Sequence, residues 1–216
     1  MAAGTDALHT LFLHSGGRAN TLDGDGTLSL DPPGGERPDC FSYNPMDPVP
    51  TVGAQGIHDH RRIETRSDVL VYSTPPLEED LEVTGPVKVV LFASSSARDT
   101  DFTATLIDVA PSGYAANLCE GILRARYRDT PRRGSLMDPG IPYEFTIDLI
   151  ATSNLFQRGH RIRLEISSTN FPRFDRNLNT GTPVADSSEA RTAQQTVFHD
   201  GRHQSHVLLP IIKEAD

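Results

Sequence analysis

The side chains needed for hydrolytic chemistry are abundant in this chain, but they do not form a recognised catalytic motif. The sequence holds 8 histidines and 29 aspartates and glutamates among 216 residues. A serine nucleophile of the α/β-hydrolase type sits on a tight G-x-S-x-G turn, and no glycine here is followed two positions later by a serine. We therefore expect this chain alone to be non-catalytic, with no cofactor and no metal.

Two histidine clusters have spacings that suggest a chemical role. The run from His58 to His60 (HDH) would pair a base with an orienting carboxylate, but it lies in an irregular segment beside two arginines. His199, His203 and His206 have a spacing at which two histidines on one helix share a metal. An Asp-Gly pair between strand-like runs indicates a hairpin there instead. We predict a solvated loop for the first cluster and a polar turn for the second.

Neither the acidic turn near the N-terminus nor the two cysteines indicate a metal site. Residues 23–27 (DGDGT) resemble the first half of a calcium loop, but an EF-hand loop carries glutamate at its twelfth position, where this chain has Gly34. Cys40 and Cys119 lie in unlike surroundings, the second in a turn-like stretch, and neither belongs to a C-x-x-C pair. We predict an ordinary turn and two free thiols.

Two polar segments that follow strand-like runs are candidates for a functional surface. Residues 94–102 (SSSARDTDF) are typical of a loop in which Asp and Ser side chains bond nearby backbone amides. Residues 170–177 (NFPRFDRN) pack two aromatic rings, two arginines and an aspartate into eight positions. Exposed Phe beside Arg is typical of the core of an interface. The alternative is that Phe171 and Phe174 form a small satellite core.

Two-residue alternation of apolar and polar side chains recurs at least four times, which predicts half-buried strands. The clearest sets on one face are Tyr143, Phe145, Ile147 and Leu149; Ile162, Leu164 and Ile166; and Leu123, Ala125 and Tyr127. Further strand-like runs cover residues 8–13, 27–30, 68–73, 81–84, 87–94, 102–109, 195–199 and 206–212. Residues 152–156 and 189–195 are the nearest candidates for short helical turns. This pattern predicts an all-β sandwich of about eight to ten strands.

Residues 31–67 form a proline-rich segment that interrupts the pattern. Each residue before a proline is restricted to extended geometry, so a helix is disfavoured there. A long irregular stretch of this kind usually wraps a surface or a partner. We predict a single domain over 1–216, with an N-terminal strand plus irregular arm over 1–67 and the main sandwich over 68–212.

Charge and hydropathy exclude several classes of protein. With 20 basic and 29 acidic residues, the net charge is −9, and no basic cluster typical of a nucleic-acid binder is visible. The acidic balance also disfavours docking on anionic lipid. The N-terminal residues lack the features of a signal peptide, and no run approaches 18 apolar residues. We expect a cytoplasmic location, with no nucleic-acid and no membrane partner.

Five motifs together resemble one protein family, from about residue 10 to residue 212. It is the C-terminal, non-catalytic domain of the X-Pro dipeptidyl-peptidase (S15) and CocE/NonD hydrolase group, to which cocaine esterases and α-amino-acid ester hydrolases are similar. The motifs are residues 13–19 (LHSGGRA), 68–72 (DVLVY), 94–104 (SSSARDTDFTA), 120–128 (EGILRARYR) and 167–177 (SSTNFPRFDRN).

The resemblance implies a jelly-roll β-sandwich of the galactose-binding-like type that follows an α/β-hydrolase domain. That domain carries the Ser-Asp-His triad, so the catalytic half is either cut away from this chain or encoded as a separate partner. In the family the sandwich packs on the hydrolase domain and can form part of the wall of the acyl pocket. The extended arm of this chain would suit a strap between the two domains. By motif matching, the candidates for that contact are Asp99, Asp101, Phe102, Asn170, Phe171, Arg173, Phe174, Asp175 and Arg176.

Two alternatives to an accessory domain remain open at this point. Galactose-binding-like sandwiches often bind carbohydrate, but sugar platforms favour exposed Trp and Tyr, and this chain has no Trp and 5 Tyr. The other alternative is self-association as a homodimer, because a surface that has lost its partner domain leaves an apolar patch.

Overall fold

Strands account for nearly all the regular structure of the chain. The computed structural model describes residues 7–53, 56–182 and 189–212. One short 3-10 helix, Ala125–Tyr127, is found in that part of the chain. The strands are β1 Ala7–His14, β2 Thr27–Ser29, β3 Asp39–Tyr43, β4 Leu70–Ser73, β5 Leu81–Ser95, β6 Asp101–Val109, β7 Ala115–Arg124, β8 Tyr143–Phe156, β9 Arg161–Ser167, β10 Ala193–Phe198 and β11 His206–Ile211.

The strands form one continuous hydrogen-bonded path that folds over on itself. Its order is β3-β10-β5-β11-β1-β2-β4-β9-β6-β7, and β8 pairs with β5 beside this path. The pairings are antiparallel except for the single contact between β2 and β4. Apolar side chains from both ends of the path meet in one buried core, among them Val89 on β5, Phe145 on β8, Leu106 on β6 and Leu164 on β9. The prediction of an all-β sandwich is confirmed.

The alternation predicted for β8 and β9 is confirmed on the inward side. Phe145 and Ile147 are fully buried on β8, as are Leu164 and Ile166 on β9. On β9 the residues between them are buried as well, so the strand is covered on both faces. The sequence pattern indicated only the inner face, because the outer face is polar.

Strand lengths differ from the predictions at two places. Residues 81–84 and 87–94, expected as two strands, belong to the single 15-residue strand β5. Gly85 has a φ of +134°, and the register with β8 shifts just after it, so the break is an irregularity inside one strand. Residues 152–156, a candidate helical turn, instead extend β8. Their pairing with the first half of β5 provides the backbone partners.

The end of β7 corrects another prediction. The strand ends at Arg124, and Ala125 and Tyr127 lie in the 3-10 turn, one buried and the other exposed. They therefore do not share a face. The amide of Ala125 donates to the carbonyl of Thr100 (2.9 Å), which draws the chain away from the strand path. Cys119, expected in a turn, is buried within β7.

The proline-rich arm packs on the sandwich. It contains β3, which pairs with β10 and was not predicted. Further along, residues 49–50 and 60–63 of the arm, with Val69 just beyond it, cover the outer face of β4, β9 and β6. There Val49, Ile63 and Val69 form a small apolar cluster with Val71 of β4. The arm is thus a third layer over part of the sandwich, and its use as a strap between domains stays a prediction.

Within the same three ranges, no helix is long and apolar enough to cross a membrane.

Candidate functional site

The segment from 170 to 177, here called the aromatic loop, follows β9 and is fixed to the arm. The amide of Phe171 donates to the carbonyl of Val49 (3.0 Å), and the amide of Thr51 donates to the carbonyl of Phe171 (2.7 Å). The Thr51 hydroxyl also donates to Asn170 Oδ1 at 2.6 Å. These bonds form a short strand-like contact, so the start of the loop has a defined position.

The other end of the aromatic loop is held by two buried carboxylates. Asp99 and Asp101 are almost fully buried, and the side-chain amide of Asn177 donates to both at 2.9 Å. Arg124 Nε and Nη2 bind the two oxygens of Asp101 at 2.9 and 3.0 Å. Arg126 donates to Asp99 through its backbone amide and its guanidinium, at 3.0 and 2.9 Å. Asp99 and Asp101, from the loop predicted over 94–102, therefore belong to a buried polar network, whereas Ser96 and Arg98 of that loop are exposed.

Burial dominates the electrostatics of this network. It raises the pKa of Asp101, and the ion pair with Arg124 and the hydrogen bond from Asn177 offset that effect only in part. Burial likewise raises the pKa of Tyr43, whose hydroxyl donates to the carbonyl of Asn177 at 2.9 Å. Removing one member of this buried network would strongly destabilise the fold, because the other charge would stay buried without a partner.

The middle of the aromatic loop faces solvent. Phe171 is 39% exposed, and Phe174 is half-buried. The guanidinium group of Arg176 lies 5.6 Å from the centre of the Phe171 ring. That of Arg173 lies 5.7 Å from the centre of the Phe174 ring. Arg173 Nε is also 2.9 Å from a Glu120 carboxylate oxygen. The loop thus presents an aromatic ring flanked by arginines on a fixed backbone.

The remaining predicted residues divide between core and surface. Phe102 is fully buried, with its ring centroid 4.9 Å from that of Phe145, so it belongs to the core of this domain. Asp175 is exposed and lies 2.9 Å from Arg124. Asp99 and Asp101 hold the aromatic loop from its buried side, through their hydrogen bonds with Asn177. The structure thus leaves the aromatic loop as the exposed part of the predicted set.

A groove beside Arg173 was not predicted from the sequence. It has a volume of about 370 Å³, and its lining includes Ile57, Leu118 and Ile150. Ile57 is 61% and Ile150 is 69% exposed. Ile150 has a φ of +69°, and its amide donates to Asp148 Oδ1 at 2.8 Å. A positive φ is a genuine outlier for a β-branched residue, and such strain is concentrated at functional sites.

Both histidine predictions were wrong for one member of each cluster. His60 is buried, with Nδ1 3.0 Å from Glu165 Oε2, whereas His58 is half-buried. His199 is fully buried, whereas His203 stays in a turn and is half-buried. The sequence could not indicate this, because the carboxylates that meet these rings are distant along the chain.

His199 takes part in a Ser-His-Asp cluster that is structural. Asp39 Oδ2 accepts hydrogen bonds from Ser15 Oγ (2.7 Å) and Tyr72 Oη (2.8 Å), and it lies 2.9 Å from His199 Nε2. Asp39 Oδ1 accepts from the amide of Ala19 at 2.8 Å. A catalytic serine donates to the histidine, whereas Ser15 Oγ lies closer to Asp39 Oδ2 (2.7 Å) than to His199 Nε2 (3.3 Å), and Ser15 is buried. The cluster is a buried hydrogen-bond hub.

The acidic turn near the N-terminus has the contacts of an ordinary turn. The Asp25 carboxylate accepts from the amides of Gly16 and Arg18, at 3.2 and 3.1 Å, as an ordinary turn would. No group of three or more metal-ligating side chains is found over residues 7–53, 56–182 and 189–212. Cys40 and Cys119 are free.

Comparison with known proteins identifies relatives of much greater length. The family described as X-Pro dipeptidyl-peptidase C-terminal non-catalytic domain matches residues 2–208. The chain is 48% identical to cocaine esterase from Rhodococcus sp. (strain MB1 Bresler), over 96% of this chain and 38% of that protein.

Solved structures agree with this assignment. The chain resembles an α-amino acid ester hydrolase with a TM-score of 0.84 and 30% identity, over 94% of this chain and 36% of that one. It resembles an aminopeptidase from a Thaumarchaeota archaeon with a TM-score of 0.85 and 29% identity, over 96% and 37% of the two chains. This chain therefore spans somewhat more than a third of the length of these relatives, and the family that it matches is described as non-catalytic. It belongs to the family of C-terminal non-catalytic domains of X-Pro dipeptidyl-peptidases and CocE/NonD hydrolases.

Proposed function

We propose that this domain packs on the α/β-hydrolase domain of a serine esterase or X-Pro dipeptidyl-peptidase and helps to shape its substrate pocket. The observation that carries the proposal is the aromatic loop. Its exposed Phe171 and Arg173 stand on a backbone fixed by the arm at one end and by buried carboxylates at the other. Phenylalanine and arginine are among the residues enriched in protein interfaces relative to the rest of the surface.

The groove next to the loop extends the proposed contact surface. Ile57 and Ile150 are exposed on its lining, and Arg173 belongs to both the groove and the loop. Strain at Ile150 holds an apolar side chain in the solvent of the isolated domain, which is unfavourable unless something covers it. A catalytic domain docked here would cover the strained residue and the exposed ring together.

The proposed role follows from the needs of acyl transfer. A Ser-His-Asp triad works in a site shielded from water, and the shielding walls need not belong to the domain that carries the triad. A preorganised loop loses little conformational freedom when it docks, so it positions a wall at low entropic cost. The hydrolase domain would perform the chemistry. This chain would form part of the pocket wall and help to exclude water from the pocket.

A domain exchange tests the proposal. This chain would replace the C-terminal domain of the Rhodococcus cocaine esterase, and turnover of a p-nitrophenyl ester would be measured for the chimera and for the isolated chain. We expect turnover only by the chimera. Phe171→Ala and Ile150→Asp should each lower kcat/KM about tenfold, as for a hot-spot contact of roughly 1.4 kcal/mol or more.

Leu30→Ala is the matched control, because Leu30 is equally apolar and exposed but lines a different groove. It should leave kcat/KM unchanged. Full activity in both the Phe171 and Ile150 variants would contradict the proposed surface. Turnover by the isolated chain would contradict the accessory role itself. If light scattering finds a dimer of the isolated chain that Ile150→Asp dissociates, the surface belongs to self-association instead.

A further inference from the structure

The outer face of β6 and β9 is polar where the arm covers it. In the antiparallel register Thr103 faces Ser167, and Thr105 faces Glu165. Alternate residues of a strand point to the same side of a sheet, and the intervening Ala104 lies in the main core. The four polar side chains therefore share the opposite face, and all four are buried.

A small cavity lies between this face and the arm. It has a volume of about 20 Å³ and is lined by Val49 and Ile63 from the arm, by Val69 just beyond it, and by the polar side chains of β6 and β9. A cavity needs roughly 10–15 Å³ of such space to hold one water molecule. The cavity is thus large enough for one water and too small for an organic ligand.

One carboxylate oxygen at this cavity has no protein partner. Glu165 lines the cavity, and its Oε2 lies 3.0 Å from Nδ1 of His60. Its Oε1 is buried and, within the part of the chain that the structure describes, accepts no hydrogen bond. An unsatisfied buried acceptor costs about 1–3 kcal/mol, and more when it carries charge. Native structures rarely leave such an oxygen unpaired.

We propose that the cavity is a binding site for one ordered water molecule that donates to Glu165 Oε1. Thr103 and Thr105 line the same cavity, and their hydroxyls would supply the further partners of the water. A site for a water needs two to four polar partners and sufficient room, and this site has both.

A bound cation fits the same cavity less well. Positive charge is already supplied nearby, because Arg163 binds both oxygens of Glu64 at 2.7 Å and the ring of His60 meets Glu165. Glu165 is the one carboxylate of the cavity lining, and its Oε2 already meets His60, so the site supplies little negative charge for a metal ion.

The water would complete the buried polar layer beneath the arm. Asn170, the first residue of the aromatic loop, lines the same cavity. The site therefore lies directly under the point where the arm and the loop meet. Its occupant would allow an ionised Glu165 to be covered without a second protein donor.

Two measurements on this chain test the inference. A high-resolution crystal structure should contain a density peak at about 2.8 Å from Glu165 Oε1, the usual length of an O–H···O bond. The second measurement is denaturant unfolding of Thr105→Val, with Thr146→Val on the exposed side of β8 as the control for strand propensity. Relative to that control, Thr105→Val should lower the folding equilibrium constant about fivefold, because the water loses a partner.

A dry cavity predicts no such loss, since the methyl group introduced by Thr105→Val would then replace a hydroxyl that binds no water. A Thr105→Val variant as stable as the control, or more so, would overturn the inference. So would a cavity without density, or a peak at the shorter distances of metal coordination.

Discussion

Asp39 should be the most costly single aspartate to remove from this domain. It lies at the start of β3 with no exposed surface. Its carboxylate meets Ser15, Ala19, Tyr72 and His199, all within 2.7 to 2.9 Å. These partners come from three separate parts of the chain, residues 15–19, β4 and the end of β10, so one carboxylate of the arm ties the N-terminal region and the sandwich together.

The magnitude follows from what Asp39→Ala leaves behind. Each buried group that loses its partner costs about 1–3 kcal/mol, and breaking a buried charged pair costs about 3–5 kcal/mol. The donors partly relax or recruit water, so we expect a loss of about 4 kcal/mol in the free energy of unfolding. For a domain of this size that lowers the Tm by about 10 °C.

The effect should depend on pH with a definite sign. Burial raises the pKa of Asp39, but the hydrogen bonds from His199, Ala19, Ser15 and Tyr72 outweigh burial and leave the pKa lowered. A lowered pKa means that the stabilisation is present above the ordinary aspartate pKa and is lost as pH falls through the folded-state value. The difference between wild type and Asp39→Ala should therefore shrink in acid.

Guanidinium unfolding followed by circular dichroism measures the loss, at neutral pH and across an acid series. Asp23→Ala is the control, because Asp23 is an exposed aspartate in a nearby turn. If Asp39→Ala unfolds at the same denaturant concentration as Asp23→Ala, the hub does not stabilise the fold. If its deficit stays constant in acid, the ionised carboxylate is not the source of the stability.

Two further predictions concern β8 and the arm. Ile150→Gly should raise the free energy of unfolding of the isolated chain by about 1 kcal/mol, because glycine relieves the positive φ. Leu155→Gly on the same strand should lower the free energy of unfolding. Equal losses in the two variants, measured by denaturant unfolding, would refute the strain at Ile150. Burial lowers the pKa of His60, but the hydrogen bond and charge of Glu165 outweigh burial and leave it raised. On the alkaline side, the stability from this pair should thus be lost as pH rises from the ordinary histidine pKa of about 6.5 through the raised folded-state pKa of His60. Hydrogen exchange at the His60 amide should then accelerate above neutral pH more in wild type than in His60→Gln, and equal acceleration would contradict the role of the pair.

The strands could be predicted because half-buried strands impose a two-residue period on the sequence. Phe145, Ile147, Leu164 and Ile166 point inward for that reason, and the motif-based family assignment is confirmed. The prediction was wrong at Ala125, where the alternation continues in the sequence although the chain turns away. The turn is imposed by a backbone hydrogen bond to Thr100, which is remote in sequence and has no local signal.

The polar interior could not be predicted for the same physical reason. Asp39, Glu64 and Glu165 are buried because other segments bring His199, Arg163 and His60 to them, across separations of about a hundred residues or more. Taken alone, a carboxylate in a proline-rich or alternating segment is most often exposed. Only the tertiary pairing makes its burial favourable.

These buried pairs explain how a domain almost without helix holds its irregular parts in place. Outside β3, the described residues of the arm and the aromatic loop belong to no strand or helix, so strand pairing alone would leave them mobile. The arm is fastened through Asp39 and His60, and the loop through Asn177 and Asn170. Such directional contacts add geometric definition even where their net contribution to stability is small. A loop fixed in this way presents Phe171 at a constant position, which is what a wall of another domain's pocket requires.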